Sequence, residues 1–257
     1  MTRVTLLWED GAESLPKHHY LLEAVPGVGN VGKLVLDTLV NTHPSRTVLR
    51  ILHPDLPPHA TLDDDGLLEP PCMTISAVDL PSRETILVLT ANFQPLSPAG
   101  QYEVATAVLD LCSEGETGLL LILAGLAAEV EQEAVHLVCA SADDKEAMEA
   151  RGLEVGGEHP SAGIIGLTGL LASLAPISGV PSACVVAETA GTSVDIIGAD
   201  RLAKWIEDSF ELQLGLELDS TETTAEKLRE FFELDEIAEI DLGLGKGAEG
   251  DSEAFYA

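Results

Sequence analysis

The residues Gly118–Ala124, GLLLILA, form an uninterrupted apolar run with the length of one β-strand. A strand with one face in water alternates apolar and polar residues, whereas a strand of a parallel sheet is covered on both faces and is apolar throughout. Val135–Ala140 and Ser182–Ala187 show the same pattern. The sequence therefore predicts a mostly parallel sheet that is buried between layers of helices.

Strand-like and helix-like segments alternate along most of the chain. Further strands are predicted at Val4–Trp8, Tyr20–Val25, Thr47–Leu52, Cys72–Val78 and Thr85–Thr90. Helices are predicted at Asn30–Asn41, Ser97–Cys112, Asp143–Arg151, Ala162–Ala175 and Val194–Phe210. This order predicts a single α/β core domain over residues 1–214.

The composition of the chain changes after residue 214. Residues 215–242 contain a predicted amphipathic helix whose apolar side carries Leu228, Phe231 and Phe232. Residues 243–257 begin with GLGKGAEGDS, which is typical of a flexible acidic linker. We therefore expect a core domain, a C-terminal amphipathic helical segment and a flexible tail.

The charge balance of the sequence excludes several classes of partner. Forty-four acidic residues against 13 Lys and Arg give a formal net charge of −31. Such a charge repels nucleic acids and anionic membrane surfaces. It is typical of the solvated surface of a halophilic protein, and we expect stability to rise with salt as the Debye length falls from about 10 Å at 0.1 M to about 3 Å at 1 M.

The cysteines and histidines show no local metal or catalytic motif. The four cysteines contain no C-x-x-C pair, and no two histidines lie four residues apart on a predicted helix. A G-x-S-x-G nucleophile elbow is also missing from the sequence. The first residues, MTRVTLLWEDG, show no long apolar signal core. We expect a cytoplasmic protein with no metal and no hydrolytic triad.

The segment Gly27–Gly32, GVGNVG, matches the G-x-G-x-x-G fingerprint of dinucleotide-binding turns. It follows a predicted strand and opens a predicted helix, as a Rossmann site requires. The acidic residue expected about 20 positions later at the end of the second strand is missing, because Asp55 comes late, inside a proline-rich loop. We therefore favour a tight turn over a nucleotide site and keep a dinucleotide-dependent oxidoreductase as the less favoured alternative.

Two polar features follow predicted buried strands. Asn92–Pro95 lies at the carboxyl end of a strand, where ligand sites of α/β proteins form. Glu188 closes another strand, where a carboxylate can act in catalysis or can bind backbone N–H groups. We favour the structural role for Glu188, and no nucleophile or phosphate loop lies near Asn92–Pro95.

Four segments together resemble the second type of proteasome assembly chaperone family, in its archaeal branch. They are VPGVGNVGKLVLDTLV; LVLTANFQPLSPAGQYEVATAVLD; LILAGL, followed by HLVCAS; and IIGLTGLL with ISGVPSACVVAETAG. The residues at the positions that carry the resemblance are Gly27, Gly29, Gly32, Gln94, Pro95, Tyr102, Gly125, Leu126, Gly166, Glu188 and Thr189. Asn92-Phe93 departs from the Gly-Asp or Gly-Glu pair usual before Gln-Pro. The resemblance covers roughly residues 20–210.

The resemblance implies an α/β/α fold similar to nucleoside phosphorylases without their catalytic residues. It also implies homo-oligomers, a role around the proteasome core particle, no cofactor, and glycines that shape a turn. A nucleoside phosphorylase-like hydrolase or transferase that uses Asn92–Pro95 with Glu188 stays the alternative hypothesis.

The last residues, Phe255, Tyr256 and Ala257, form a hydrophobic–Tyr–any-residue ending that resembles the tails of proteasome activators. In those tails the penultimate Tyr and the terminal carboxylate enter pockets between the α-subunits, which combines carboxylate capture with an aromatic anchor. Our leading hypothesis is a non-enzymatic chaperone or regulator that docks on the α-subunit ring through this tail.

Overall fold

The computed structural model describes residues 3–62, 66–128, 134–156, 163–191, 194–216 and 218. The strands are β1 Thr5–Trp8, β2 Tyr20–Ala24, β3 Ser45–Leu52, β4 Thr61–Leu62, β5 Leu68–Glu69, β6 Met73–Asp79, β7 Thr85–Ala91, β8 Leu119–Ala127, β9 Val135–Val138 and β10 Ser182–Thr189. The helices are α1 Val31–Thr42, α2 Pro98–Glu114, α3 Ala142–Ala150, α4 Gly166–Leu174 and α5 Ile196–Phe210.

One eight-stranded sheet organises the fold, with the strand order β1-β3-β6-β7-β2-β8-β10-β9. Its centre, from β7 through β2 and β8 to β10, is parallel. Antiparallel strands complete both sides: β6, β3 and β1 beyond β7, and β9 beyond β10. The parallel centre confirms the predicted fold class, and the antiparallel edges make the sheet mixed.

The two faces of the sheet carry separate helix layers. Helices α1 and α5 pack together over one face, and α2 and α4 pack together over the other. β8 and β10 are buried almost throughout because they lie between both layers. This burial explains why both strands are apolar without alternation, as the sequence predicts.

Side-chain caps fix the starts of the longer helices. Ser97 accepts a hydrogen bond from the Gly100 N–H, and Pro98 occupies the first helical position of α2, where its missing N–H has no cost. Asp195 accepts a hydrogen bond from the Gly198 N–H at the start of α5. These caps place both helix starts beside the carboxyl ends of the parallel strands.

Three features differ from the sequence-based expectation. The predicted buried parallel strand Val135–Ala140 is β9, an antiparallel edge strand of which only Leu137 is fully buried. A short antiparallel pair, β4 with β5, lies inside the proline-rich segment that was expected to be a loop. Helix α4 is shorter than the predicted Ala162–Ala175, and only Leu167, Thr168 and Leu171 of its nine residues are buried. Its other apolar residues, Leu170, Ala172 and Leu174, pack against the same core but stay partly exposed.

Candidate functional site

Strands β2, β7, β8 and β10 all end at the same edge of the sheet, which we call the carboxyl edge. In α/β folds this edge is where ligands bind. The glycine turn after β2, the loop after β7 and the end of β10 meet here. Most residues singled out in the sequence lie in or beside these three segments.

The glycine turn is pressed against the neighbouring strands. A Cβ on Gly29, whose φ is 65°, would lie 2.5 Å from Thr189 Oγ1, and one on Gly32 would lie 2.8 Å from the Leu123 carbonyl oxygen. On the opposing strand, a Cβ on Gly125 would overlap the Val28 carbonyl oxygen. Thr189 thus packs directly against Gly29, and the glycines are needed for this close approach of the turn to β8 and β10. This geometry supports the turn interpretation of GVGNVG.

Gln94 connects three elements at the carboxyl edge. Its Nε2 donates to the Pro26 carbonyl at 2.8 Å, and its Oε1 accepts from the Leu167 N–H at 3.1 Å. Gly166, with a φ of 80°, brings the start of α4 against Gln94. The Pro95 carbonyl accepts from Gln101 Nε2 at 3.0 Å, which fixes the same loop to α2. The amide of Gln94 is therefore a structural tie between the glycine turn and α4.

A buried lysine lies on the other face of the same loop. Lys33 Nζ is 2.7 Å from Asp37 Oδ2 and 3.2 Å from Asn92 Oδ1, and Thr90 Oγ1 donates to Asp37 Oδ1 at 3.2 Å. The Lys33 side chain is only 1% exposed. This network was not predicted from the sequence, although a Lys and an Asp four residues apart on an apolar helix indicate an ion pair.

Glu188 binds the chain that crosses the end of β10. Its Oε2 accepts from the Ala134 N–H at 2.9 Å, and its Oε1 lies 3.1 Å from His136 Nε2. Thr189 Oγ1 donates to Asp195 Oδ2 at 2.6 Å. Glu188 thus has the backbone-binding role that the sequence analysis favours.

Glu188 and Gln94 do not form one site. Glu188 lies in β10 and Gln94 follows β7, and these two strands are separated by β2 and β8 in the sheet. With strands about 4.8 Å apart, their backbones lie about 14 Å from each other. The alternative hypothesis of a hydrolase or transferase that uses these two residues together therefore lacks a joint site in this geometry.

Asp55 serves the start of α2 rather than the glycine turn. Its Oδ2 accepts from the Ser97 N–H at 2.6 Å, and hydrogen bonds from Ser97 lower the pKa of the Asp55 carboxyl. Next to it, the Arg3 guanidinium and then the His53 ring lower the pKa of Glu103 to about 2. Asp55 is therefore not placed to bind a ribose at the Gly27–Gly32 turn.

Glu23 is the residue at the carboxyl edge that the sequence analysis overlooked. It lies in the middle of the sheet on β2, is fully buried, and its Oε2 has no hydrogen-bond partner among the described residues. The Thr168 hydroxyl of α4 lies 3.5 Å from its Oε1. Burial raises the pKa of Glu23 to about 8, and the Thr168 hydroxyl opposes that shift. A single acid within the apolar strand YLLEA was the available signal.

The remaining polar chemistry is sparse in the described part of the chain. Burial raises the pKa of the Cys112 and Cys139 thiols to about 11, which keeps them protonated and unreactive at neutral pH. No three His, Cys, Asp or Glu side chains among the described residues are grouped to hold a metal ion. Likewise, no helix in the described ranges is long and apolar enough to cross a bilayer.

Tyr102 lies on α2 and is half exposed. The predicted partner-binding residues Phe255, Tyr256 and Ala257 lie outside the described residues. The apolar side of the predicted helix, with Leu228, Phe231 and Phe232, also lies outside them. Their roles stay predictions from the sequence.

Two solved structures with the same fold come from the archaeon Pyrococcus furiosus. PbaA of Pyrococcus furiosus, described as an archaeal homolog of proteasome-assembly chaperone, has a TM-score of 0.71 at 20% identity and covers 91% of this chain and 99% of its own. PbaB of the same organism, described as an archaeal proteasome activator, has a TM-score of 0.71 at 19% identity and covers 92% and 100%. These similarities establish the α/β/α fold.

Sequence comparison identifies the family. An uncharacterised protein of Methanocaldococcus jannaschii is 29% identical over 175 residues, which are 68% of this chain and 67% of that protein. Residues 21–235 match the sequence profile of the PAC2 family, which confirms the resemblance seen in the sequence motifs. Because the matched region takes up most of the chain, this protein belongs to the PAC2 family.

Proposed function

We propose that this protein is a non-enzymatic proteasome-binding protein, an assembly chaperone or activator, that docks on the α-subunit ring of the core particle. The observation that carries the proposal is the Phe255-Tyr256-Ala257 ending on a PAC2-family chain. The similarity to PbaA and PbaB supports it, because their descriptions name a chaperone homolog and a proteasome activator. The acidic surface is that expected of a halophilic cytoplasmic protein.

The carboxyl edge supports a role without catalysis. Gln94 and Glu188, the polar residues that an enzyme of this fold would use, are each bound to backbone groups of the protein itself. Lys33 is likewise held by Asp37 and Asn92. Polar groups that are committed to structural hydrogen bonds are not available to a substrate unless those bonds break first.

In the proposed docking, the last three residues determine which partner is bound. The composition of residues 243–252 predicts a flexible chain, and ten residues of such a chain span roughly 5–6 Å times √10, or under 20 Å. This reach lets Tyr256 enter a pocket as an aromatic anchor while the Ala257 carboxylate meets a buried cation of the partner. Both surfaces are expected to be acidic, so salt must screen the long-range repulsion before this short-range contact forms.

Several tails on one oligomer would share a high effective concentration, which can raise avidity by 10²–10⁴. We therefore propose a homo-oligomer, with contacts at residues 162–175 and at the Leu228, Phe231 and Phe232 side of the predicted helix. In the first of these segments Ile165 is 49% exposed. Light scattering in high salt tests the proposal, and a 27.1 kDa monomer at micromolar concentration would contradict it.

The docking test measures binding of the full chain to immobilised core particle in high salt. Tyr256→Ala removes the anchor and should cost about 2 kcal/mol or more per site, which is at least about a 30-fold loss of affinity. One glycine added after Ala257 displaces the carboxylate and should reduce binding similarly. Tyr102→Ala is the matched control, because it removes a half-exposed tyrosine from the body of the protein.

The proposal predicts that the control binds like the wild type and that both tail variants lose affinity. Equal binding by all four chains would show that the tail does not dock, and any proteasome interaction would then reside in the body. No binding by the wild type would contradict the proposed function itself.

A further inference from the structure

Glu23 is buried in a place where few groups can stabilise a charged carboxylate. Its neighbours along the strand, Leu21 and Val25, belong to the core under α2 and α4, so Glu23 points to that same face. In the sheet it pairs with Leu89 of β7 and Ile122 of β8. The backbone N–H groups of these strands are used in the sheet, which leaves none to bind the carboxyl group.

The groups described around the Glu23 carboxyl are uncharged, and α2 contributes apolar side chains such as Val104 and Val108 to the same core. Helix α4 contributes the Thr168 hydroxyl, and β10 contributes the Cys184 thiol, whose pKa burial and Glu23 itself raise. Leu89 and Ile122 complete the apolar surroundings on β7 and β8. Among the described residues, no ion pair or hydrogen bond reaches Glu23 Oε2. The closed arrangement therefore favours the protonated, uncharged form of Glu23.

Helix α4 is the element that can move away when Glu23 loses its proton. It covers Glu23 with Thr168. Its other fully buried residues are Leu167 and Leu171, and the remaining apolar side chains, Leu170, Ala172 and Leu174, pack against the core while staying partly exposed. Its first turn is held by the Gln94 Oε1 bond to the Leu167 N–H. Strands β7 and β8 are fixed on both sides by pairing, so hydration of Glu23 is most easily reached by moving α4.

We propose that α4 is a protonation-gated element, which docks over the neutral Glu23 carboxyl and opens to let water reach it when the carboxyl ionises. The opening exposes the Gln94 bridge and so couples the pH of the solvent to the packing of the carboxyl edge. The proposal does not depend on any interaction with the proteasome. When α4 opens and Glu23 ionises, the protein releases to the solvent the one proton that Glu23 holds in the closed form.

Linkage fixes the size and sign of the effect. The pKa of Glu23 is about 8 with α4 closed and 4.5 for the hydrated group. Between these values the open form holds fewer protons, so its population relative to the closed form rises about tenfold per pH unit. From pH 6 to pH 7.5 the opening constant should thus increase about 30-fold, and it should level off above pH 8.

Hydrogen exchange of the full chain in high salt measures this opening directly. The readout is the protection factor of the α4 amides, which is the intrinsic exchange rate divided by the measured one and so corrects for the pH dependence of intrinsic exchange. In the wild type this protection factor should fall about tenfold per pH unit between pH 6 and pH 8. In Glu23→Gln, which keeps the shape and cannot ionise, it should be independent of pH. Glu188→Gln is the matched control and should keep the wild-type slope in α4.

Amides of Val104–Leu111 in α2 report on unfolding beyond α4 and should keep their protection. A wild-type slope of zero in α4, a slope that survives in Glu23→Gln, or an equal slope in α2 would each overturn the proposal. If Glu23→Gln does not fold, Thr168→Val gives a second test. It removes the hydroxyl that opposes the pKa rise, so the loss of α4 protection should extend above pH 8, and an unchanged profile would overturn the proposal.

Discussion

Glu23 and Glu188 are both buried glutamates on the parallel centre of the sheet, and both point towards the layer of α2 and α4. Glu188 has a backbone N–H and a histidine ring as partners. Glu23 has one long contact with the Thr168 hydroxyl, and its second oxygen has no partner among the described residues. The two residues therefore have the same chemistry in opposite environments.

Both residues lie one residue before the end of their strand, so the pairing beside each residue, and not its position along the strand, explains the difference. Glu188 lies one residue before the end of β10, where the chain at Ala134 crosses the strand and offers an N–H that no neighbouring strand uses. Glu23 lies between two paired strands, where neighbouring N–H groups are used by the sheet. A carboxyl group beside the point where strand pairing stops can thus brace the fold, whereas one that is flanked by paired strands on both sides is tolerated only as a neutral acid.

The largest expected effect comes from Glu23→Gln. The folded chain holds the Glu23 proton up to about pH 8, whereas the unfolded chain loses it near pH 4.5. The stability due to the neutral carboxyl is therefore present below pH 4.5 and is lost as the pH rises through 8. The loss is about 1.4 kcal/mol per pH unit and at most about 5 kcal/mol. Glu23→Gln should remove this loss.

The measurement is urea unfolding in high salt at pH 5, 6, 7 and 8 for both chains. Other groups titrate equally in both, so the stability of wild type minus that of Glu23→Gln isolates this carboxyl. The difference should become more negative with pH. A constant difference would show that Glu23 is hydrated in the folded protein and would remove the contrast with Glu188.

A smaller effect is expected at the end of β10 from Gly29→Ala. The new Cβ would lie 2.5 Å from Thr189 Oγ1, which donates to Asp195, and the residue would keep a φ of 65°. Backbone strain of about 1–2 kcal/mol and disturbance of that hydrogen bond, about 1–2 kcal/mol, predict a loss of about 2–4 kcal/mol.

Gly152→Ala is the matched control for this substitution. Gly152 has a φ of 84° and nothing within 4 Å of the added Cβ, so it measures strain without a clash. Both variants are compared by urea unfolding at one pH. Equal losses would show that the Gly27–Gly32 turn needs glycine only for its backbone angle and not for its approach to β10.

The smallest expected effect comes from Glu188→Gln. The amide oxygen can still accept from the Ala134 N–H, but the amide cannot replace both oxygens of the carboxylate towards His136. We expect a loss of about 1–2 kcal/mol in thermal or urea unfolding. A loss as large as that of Gly29→Ala would mean that the carboxylate braces more of the fold than its two contacts indicate.

The sequence predicts much of this fold because local signals determine it. Uninterrupted apolar runs identified β8 and β10, and Ser97 with Pro98 identified the start of α2. The antiparallel edges were harder to predict, because the pairing of β1, β3 and β6 depends on contacts between distant segments. The β4–β5 pair was missed because its strands have two residues each, too few for a periodic pattern.

The carboxyl edge was predictable only in part. The glycines and Gln94 were identified, but the partners of Gln94 lie about 70 residues away at Pro26 and Leu167, beyond any local pattern. Lys33 and Glu23 were missed although each is an ionisable residue within an apolar segment. Their partners, or the lack of them, depend on which elements the tertiary fold places over them.

Displacement with a peptide is the sharpest test of the proposal that the last residues dock on the proteasome. The full chain is bound to immobilised core particle in high salt, and a synthetic peptide of residues 251–257 is added. We expect the peptide to displace the full chain completely from the core particle. If several tails bind together, this should need a peptide excess of about 10²–10⁴. The same peptide with Ala in place of Tyr256 should not displace the chain. Persistent binding at saturating wild-type peptide would contradict the claim.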